Sequence, residues 1–156
     1  MCNTEVYTGG KGNDDDSVKS LVLRLCSSYL GKEHMVYMDR FYTSPAVLEE
    51  LWERNTLGVG TVMKNRIGLP RDLINQKLKK GEMTFRCKGH LFYLKWKKKR
   101  DVHLLSTQHN MTALLISVKS RSGYVEVVKP DIVLDYNLFQ TGVDIGDQLI
   151  SYYPFQ

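Results

Sequence analysis

The run His34–Ser44, HMVYMDRFYTS, constrains the architecture more than any other stretch of the chain. Met35 to Met38 is a short apolar run of the kind that forms a buried strand. Asp39 ends it. An ionised carboxylate is costly to bury, so Asp39 belongs at the strand's end, facing a cleft or a cation. Ser44-Pro45 follows at once: a good N-cap, then a proline suited to the first helical position. Strand, Asp, short polar loop and helix is the order in which α/β enzymes present a metal-binding carboxylate. A lone Asp after a strand is equally ordinary turn chemistry, and these residues by themselves leave both readings open.

The flanks extend the alternation. Thr4–Thr8 (TEVYT) has strand character, and a glycine-rich loop follows it. Asp14, Asp15, Asp16 and Ser17 then lead a helix whose apolar stripe is Val18, Leu21, Val22, Leu25 and Cys26, with Gly31 as its stop. Three consecutive Asp do not converge on one point of a helix, so the run reads as capping rather than as a metal cluster. After the Asp39 loop, Ser44–Arg54 reads as a helix with Val47, Leu48, Leu51 and Trp52 inward. Leu57–Val62 reads as a strand whose glycines permit a close backbone approach. Strand alternating with helix predicts an α/β core with parallel pairings.

The texture changes at Lys64. A basic, turn-rich exit leads through a Lys-rich polar stretch to two expected antiparallel strands, Met83–Cys87 and Leu91–Trp96, around the turn Lys88-Gly89-His90. Lys97-Lys98-Lys99-Arg100 forms a basic tip before another strand, Val102–Ser106. Ala113–Val118 and Tyr124–Val128 make a second hairpin. The expectation is therefore three segments: core over 1–63, a β-rich basic insertion over 64–128, and a return to the core over 129–156. In the last segment Pro130 opens a short helix, and Gly142–Tyr153 reads as a helix carrying Asp144 and Asp147 on one face. Those two carboxylates either share a cation or form a solvated acidic face near a helix start.

Charge sharpens the function classes. The net charge is +5, and residues 51–100 hold 14 Lys/Arg against 3 Asp/Glu. A basic centre points to a polyanion, nucleic acid first, with a solvated Lys-rich surface as the plain alternative. No stretch approaches 18 apolar residues, and no basic-then-apolar leader opens the chain, so neither a membrane span nor a secretory signal is expected. Cys2, Cys26 and Cys87 are scattered, which suits reduced thiols inside a cell. Cys87, His90, His103 and His109 could be assembled into a zinc set, but their spacing is poor and zinc is not expected. Phe92, Tyr93 and Trp96 interleave with the basic run. Burial in alternating strands accounts for them more simply than base stacking does.

Four pieces, VYMDRFYTS (Val36–Ser44), LGVGTVMKNRIGLP (Leu57–Pro70), KKGEMTFRCKGHLFYLKWKKKRDVHLLST (Lys79–Thr107) and VVKPDIVLDYNLFQTGVDIGDQLISYY (Val127–Tyr153), together resemble the piggyBac-type transposases and transposase-derived proteins. The resemblance implies an RNase H-like catalytic domain, a mixed sheet with flanking helices interrupted by an insertion. It implies three Asp holding two divalent cations, usually Mg²⁺ or Mn²⁺, for phosphodiester cleavage. Asp39 would be the second and Asp144 the third, both binding metal, with Asp147 an additional catalytic carboxylate. The family's first Asp has no counterpart in context here, so residues 1–156 alone are expected to be inactive. Lys64, Arg66, Lys95, Lys97, Lys98, Lys99 and Arg100 would contact DNA; Lys98 departs from the acidic residue frequent there in the family. A domesticated, non-catalytic DNA- or chromatin-binding protein is the alternative. Nuclear localisation and a possible homodimer of the longer protein follow from the resemblance as well.

Overall fold

A computed structural model of the chain describes Asn3, Glu5, residues 17–120 and residues 123–140. The strand expected over Thr4–Thr8, the acidic run Asp14–Asp16 and the helix expected over Gly142–Tyr153 lie outside the described residues.

The centre is a five-stranded mixed sheet. Its strands are β1 (Met35–Met38), β2 (Leu57–Thr61), β3 (Met83–Lys88), β4 (Leu91–Lys97) and β5 (Asp101–Ser106), in the order β1-β2-β5-β4-β3. β1 and β2 pair in parallel, as the intervening helix requires. β2 meets β5 antiparallel, Thr61 opposite Leu104, and the hairpins β4–β5 and β3–β4 complete the sheet. A separate two-stranded ribbon, β6 (Ala113–Ser120) with β7 (Gly123–Pro130), precedes helix α4 (Asp131–Phe139).

The sheet includes strands from both sides of residue 64, where the sequence changes texture. The change to basic, turn-rich sequence is a change of surface, not of sheet: β5 hydrogen-bonds directly onto β2, β4 onto β5 and β3 onto β4. Among the described elements, β6 and β7 are the strands that stand apart from it.

Helices cover both faces. On one, α1 (Val18–Leu25), α2 (Pro45–Glu53) and α3 (Arg71–Asn75) bring Val22, Val47, Leu48, Leu51, Leu73 and Ile74 against Met38, Leu91, Tyr93 and Leu105. On the other, Ile132, Val133 and Tyr136 of α4 pack on Val59, Phe92, Leu94, Trp96 and Leu104. Period-two alternation divides β4 between these cores, so every residue from Leu91 to Trp96 is buried. Phe92, Tyr93 and Trp96 are therefore core residues. Each fully buried Leu or Phe contributes about 1.5–3 kcal/mol.

Local signals explain the helix starts. Ser17 caps α1 by accepting from Ser20 N–H at 3.2 Å. Ser44 caps α2 by accepting from Val47 N–H at 3.3 Å, with Pro45 at the first helical position. α1 ends earlier than expected, at Leu25; a 3-10 turn over Ser27–Tyr29 intervenes before Gly31, whose φ is +73°. Trp52 is not inward as expected. It lies on the exposed side of α2 and stacks on His90, with ring centroids 4.6 Å apart.

Candidate functional site

Asp39 is exposed at the C-terminal end of β1, where the strand's hydrogen-bonding stops and a turn must begin. Among the described residues none pairs with its carboxylate. The loop that presents it is held firmly. The Asp39 carbonyl accepts from Tyr42 N–H at 3.0 Å, from Thr43 N–H at 3.1 Å and from the Thr43 hydroxyl at 2.9 Å. Thr43 is completely buried. It sits over Gly60 of β2, where a Cβ would come within 2.2 Å of Thr43 Oγ1 and 2.5 Å of the Met38 carbonyl. The glycine foreseen as a close-approach position thus makes room for the carboxylate loop itself.

Arg66 holds the same loop from the other side by donating from its guanidinium to the Phe41 carbonyl. Arg71 of α3 donates to the carbonyls of Lys64 (3.0 Å), Asn65 (3.4 Å) and Arg66 (3.4 Å), fixing the turn that aims Arg66.

The opposite sheet face contributes α4. Tyr136 donates to the Met38 carbonyl at 3.2 Å, beside Asp39, and lies 3.4 Å from Thr61 Oγ1. Tyr37 donates to Asp135 at 2.8 Å and packs its ring on Phe139. Burial, reinforced by that carboxylate, pushes the Tyr37 phenol well above its usual range. These contacts bring the end of α4, five residues before Asp144, close to the Asp39 end of the sheet. Asp144 and Asp147 lie outside the described residues.

Antiparallel pairing places the basic elements at that same end. β2 finishes there, β5 begins there, and the β4–β5 tip Lys98-Lys99-Arg100 projects beyond, all three exposed. Lys64 is exposed just past β2. Lys97 is partly spent on Asp101, at 2.6 Å. That hydrogen bond, more than the nearby Lys95, holds the Asp101 carboxyl below its usual range.

Lys95 is a correction. It is 1% exposed, on the α3 face of β4, and its ammonium donates to the carbonyls of Ile74 (2.7 Å) and Gln76 (2.6 Å). It caps the C-terminal end of α3, where a cation is favoured, and cannot reach a phosphate. Arg66, half-buried, spends one guanidinium nitrogen on the Phe41 carbonyl. The expectation for Lys95 failed because a lysine in a basic run carries no label saying which face of the strand it takes.

A family model described as Transposase IS4 matches residues 1–156. The chain belongs to the Transposase IS4 family. Within that family its similarities are to piggyBac-type proteins. It is 30% identical over 146 residues to the human PiggyBac transposable element-derived protein 3, covering 86% of this chain and 24% of that protein. It has the same identity to the human Chimeric ERCC6-PGBD3 protein, covering 14% of it. The chain thus spans about a quarter or less of the curated relatives it matches. A piggyBac transposase solved by cryo-electron microscopy as a synaptic complex with hairpin DNA is similar in fold. The TM-score is 0.71 at 27% identity, over 92% of this chain and 29% of that one.

For this piggyBac-type chain, the metal question turns on donors. Asp39 supplies an exposed carboxylate, unpaired among the described residues, the oxygen donor a hard divalent cation prefers. No group of three or more His, Cys, Asp or Glu converges among the described residues. The four candidate zinc ligands have separate surroundings. Cys87 is exposed, His90 stacks on Trp52, His103 shares a 2.8 Å hydrogen bond with Tyr93, and His109 lies between Ser106 and Asp135.

That last set, Ser106 Oγ 2.8 Å from His109 Nδ1 and His109 Nε2 3.3 Å from Asp135, has the composition of a nucleophilic triad. Its serine is buried and already accepts from Gln108 and His109 N–H groups, so the set braces α4 against β5 instead. Sequence reasoning missed this network, and also Thr43 and Arg71. For Thr43 a signal existed: a Thr four residues after the Asp and one before the N-cap can reach back to the Asp carbonyl.

Proposed function

We propose that this chain is part of the catalytic domain of a piggyBac-type DNA transposase, with an RNase H-like core, acting by two-metal phosphodiester cleavage and strand transfer in the nucleus. The observation that carries the reading is the Asp39 loop: an exposed carboxylate, unpaired among the described residues, locked by Thr43, Gly60 and Arg66 at the same sheet end as an exposed basic tip. Such a loop keeps a carboxylate in place without spending its charge on any described residue.

Asp39 and Asp144 would hold divalent cations, Mg²⁺ or Mn²⁺, with Asp147 nearby. Such ions activate an attacking oxygen and stabilise the leaving one. The chain's own part is to hold those carboxylates still and to guide DNA to them with Lys64, Lys98, Lys99, Arg100 and, more weakly, Lys97. Because the family's first carboxylate has no counterpart within residues 1–156, these residues alone are proposed to bind metal weakly and to cleave nothing. Dimerisation belongs to the longer protein.

Titration of the purified chain with Mn²⁺, with Asp39→Asn beside it, tests this. Binding that disappears in the variant supports the reading; binding that persists unchanged overturns the role of Asp39. A second reading, a DNA-binding remnant, draws on the basic tip being complete without any carboxylate. It wins if DNA binds with a steep salt dependence while no metal binds.

A further inference from the structure

Next to Asp39 lies an open-sided cleft of about 470 Å³, lined by Phe41, Ser44, Ala46, Met63, Asn65, Arg66 and Ile67. Two of its walls are apolar side chains turned to solvent: Ile67, 90% exposed, and Phe41, 51% exposed. A lone surface isoleucine is ordinary. This one is not alone. It shares the cleft with an exposed aromatic ring, Phe41, which meets Tyr42 edge-on; it sits on a turn whose Gly68 has φ +88°, and the residues before it in the chain are Lys64, Asn65 and Arg66. The floor is rigid, because Arg66 is tied to the Phe41 carbonyl and Arg71 to the turn carbonyls. The surroundings are basic, with Lys64 and Arg40 exposed beside the cleft and Lys98-Lys99-Arg100 at the same sheet end.

We infer that this cleft receives one unstacked nucleobase from DNA lying across the basic end, Ile67 entering the base stack and Phe41 stacking on the displaced base. The inference rests on the DNA reading above and adds to it a local deformation of the strand beside Asp39. A base has two apolar faces and a polar edge. The cleft offers an aromatic face, an aliphatic face from Ile67 and Met63, and the Asn65 amide for the edge. Aliphatic wedges between base steps and aromatic platforms for extruded bases are established ways for proteins to distort nucleic acid. A basic rim selects a polyanion over an apolar peptide or a second copy of this chain, itself of net charge +5.

The test uses the full chain and short blunt-ended duplexes carrying 2-aminopurine, whose fluorescence rises on unstacking, either at the terminal position or deep in the duplex. Wild type is expected to give a several-fold rise at the terminal position and little inside. Ile67→Ala and Phe41→Ala should abolish the rise, Phe41→Ala also weakening binding by roughly tenfold. Ile67→Phe should retain the rise. Both side chains are exposed, so unchanged circular dichroism should confirm folded variants. Reversing the charges of Lys98, Lys99 and Arg100 should instead lower affinity and the salt slope, leaving the rise intact at saturation. DNA binding without a rise, or a rise that survives both alanine variants, overturns the wedge and leaves the DNA reading standing. No DNA binding at all overturns both.

Discussion

β4 and β6 are both apolar runs with a lysine near the end, LFYLKWK and ALLISVKS, and they lie in opposite environments. β4 lies between β5 and β3 with helices on both faces, and its first six residues are buried. β6 pairs with β7, and Leu114 and Leu115 are exposed. A strand's propensity is local, but its burial is a property of what covers it. The difference also separates two kinds of lysine. Lys95, in the covered strand, is an internal cap, whereas Lys98 and Lys99, in the tip just past the end of β4, reach solvent.

The sharpest way to break this comparison is Leu94→Ala. Leu94 is 0% exposed, and its truncation should cost about 3 kcal/mol in urea unfolding, as for a core leucine. Gly60→Ala should follow at about 2–3 kcal/mol, since the added methyl collides with Thr43 and the Met38 carbonyl. The same variant should raise amide exchange at Tyr42 and Thr43, whose N–H groups hold the Asp39 turn; unchanged exchange would contradict the role given to Gly60. Lys95→Met should cost about 2 kcal/mol by leaving the α3 carbonyls without a donor. It should leave the salt slope of DNA binding untouched, whereas Lys98→Met should do the reverse. A reduced slope in Lys95→Met would put that lysine back on the surface.

A smaller effect concerns pH. Burial, with the nearby Lys95 charge, lowers the His103 pKa below its ordinary 6.5, while Asp101 opposes the shift. The unfolded chain therefore takes up a proton that the folded chain refuses. Stability should be fully present above pH 6.5 and decline as pH falls from there through the folded pKa. His103→Gln should flatten this decline in a thermal melt series; an unchanged slope would assign it elsewhere. Least of all, Leu115→Ala, at a residue 62% exposed, should shift stability by under about 0.5 kcal/mol. A cost as large as that of Leu94 would mean that the ribbon is covered in solution.

Much of the site was legible in the sequence because its signals are local. The Met35–Met38 strand, the Asp39 turn, the Ser44 cap and Pro45 lie within eleven consecutive residues, and each acts on neighbours along the chain. The glycine at 60 could be recognised as a close-approach position, but not which residue approached. Trp52 illustrates the limit. Its apolar bulk argues for the core, yet α2 buries Val47, Leu48 and Leu51, and the helical turn leaves Trp52 outside against His90.

The sequence by itself determined the element types, the parallel β1–β2 unit, the antiparallel hairpins and an Asp offered at a strand's end, because capping, periodicity and turn chemistry act over a few residues. Tertiary structure alone decided that β5 pairs with β2, so that the sheet runs unbroken past residue 64. It also decided that Lys95 and Arg66 serve the fold and that Tyr37 and Tyr136 dock α4 beside Asp39. These contacts join residues from 19 to 98 positions apart, and which of many such partners a polar group finds is set by the packing of the whole core.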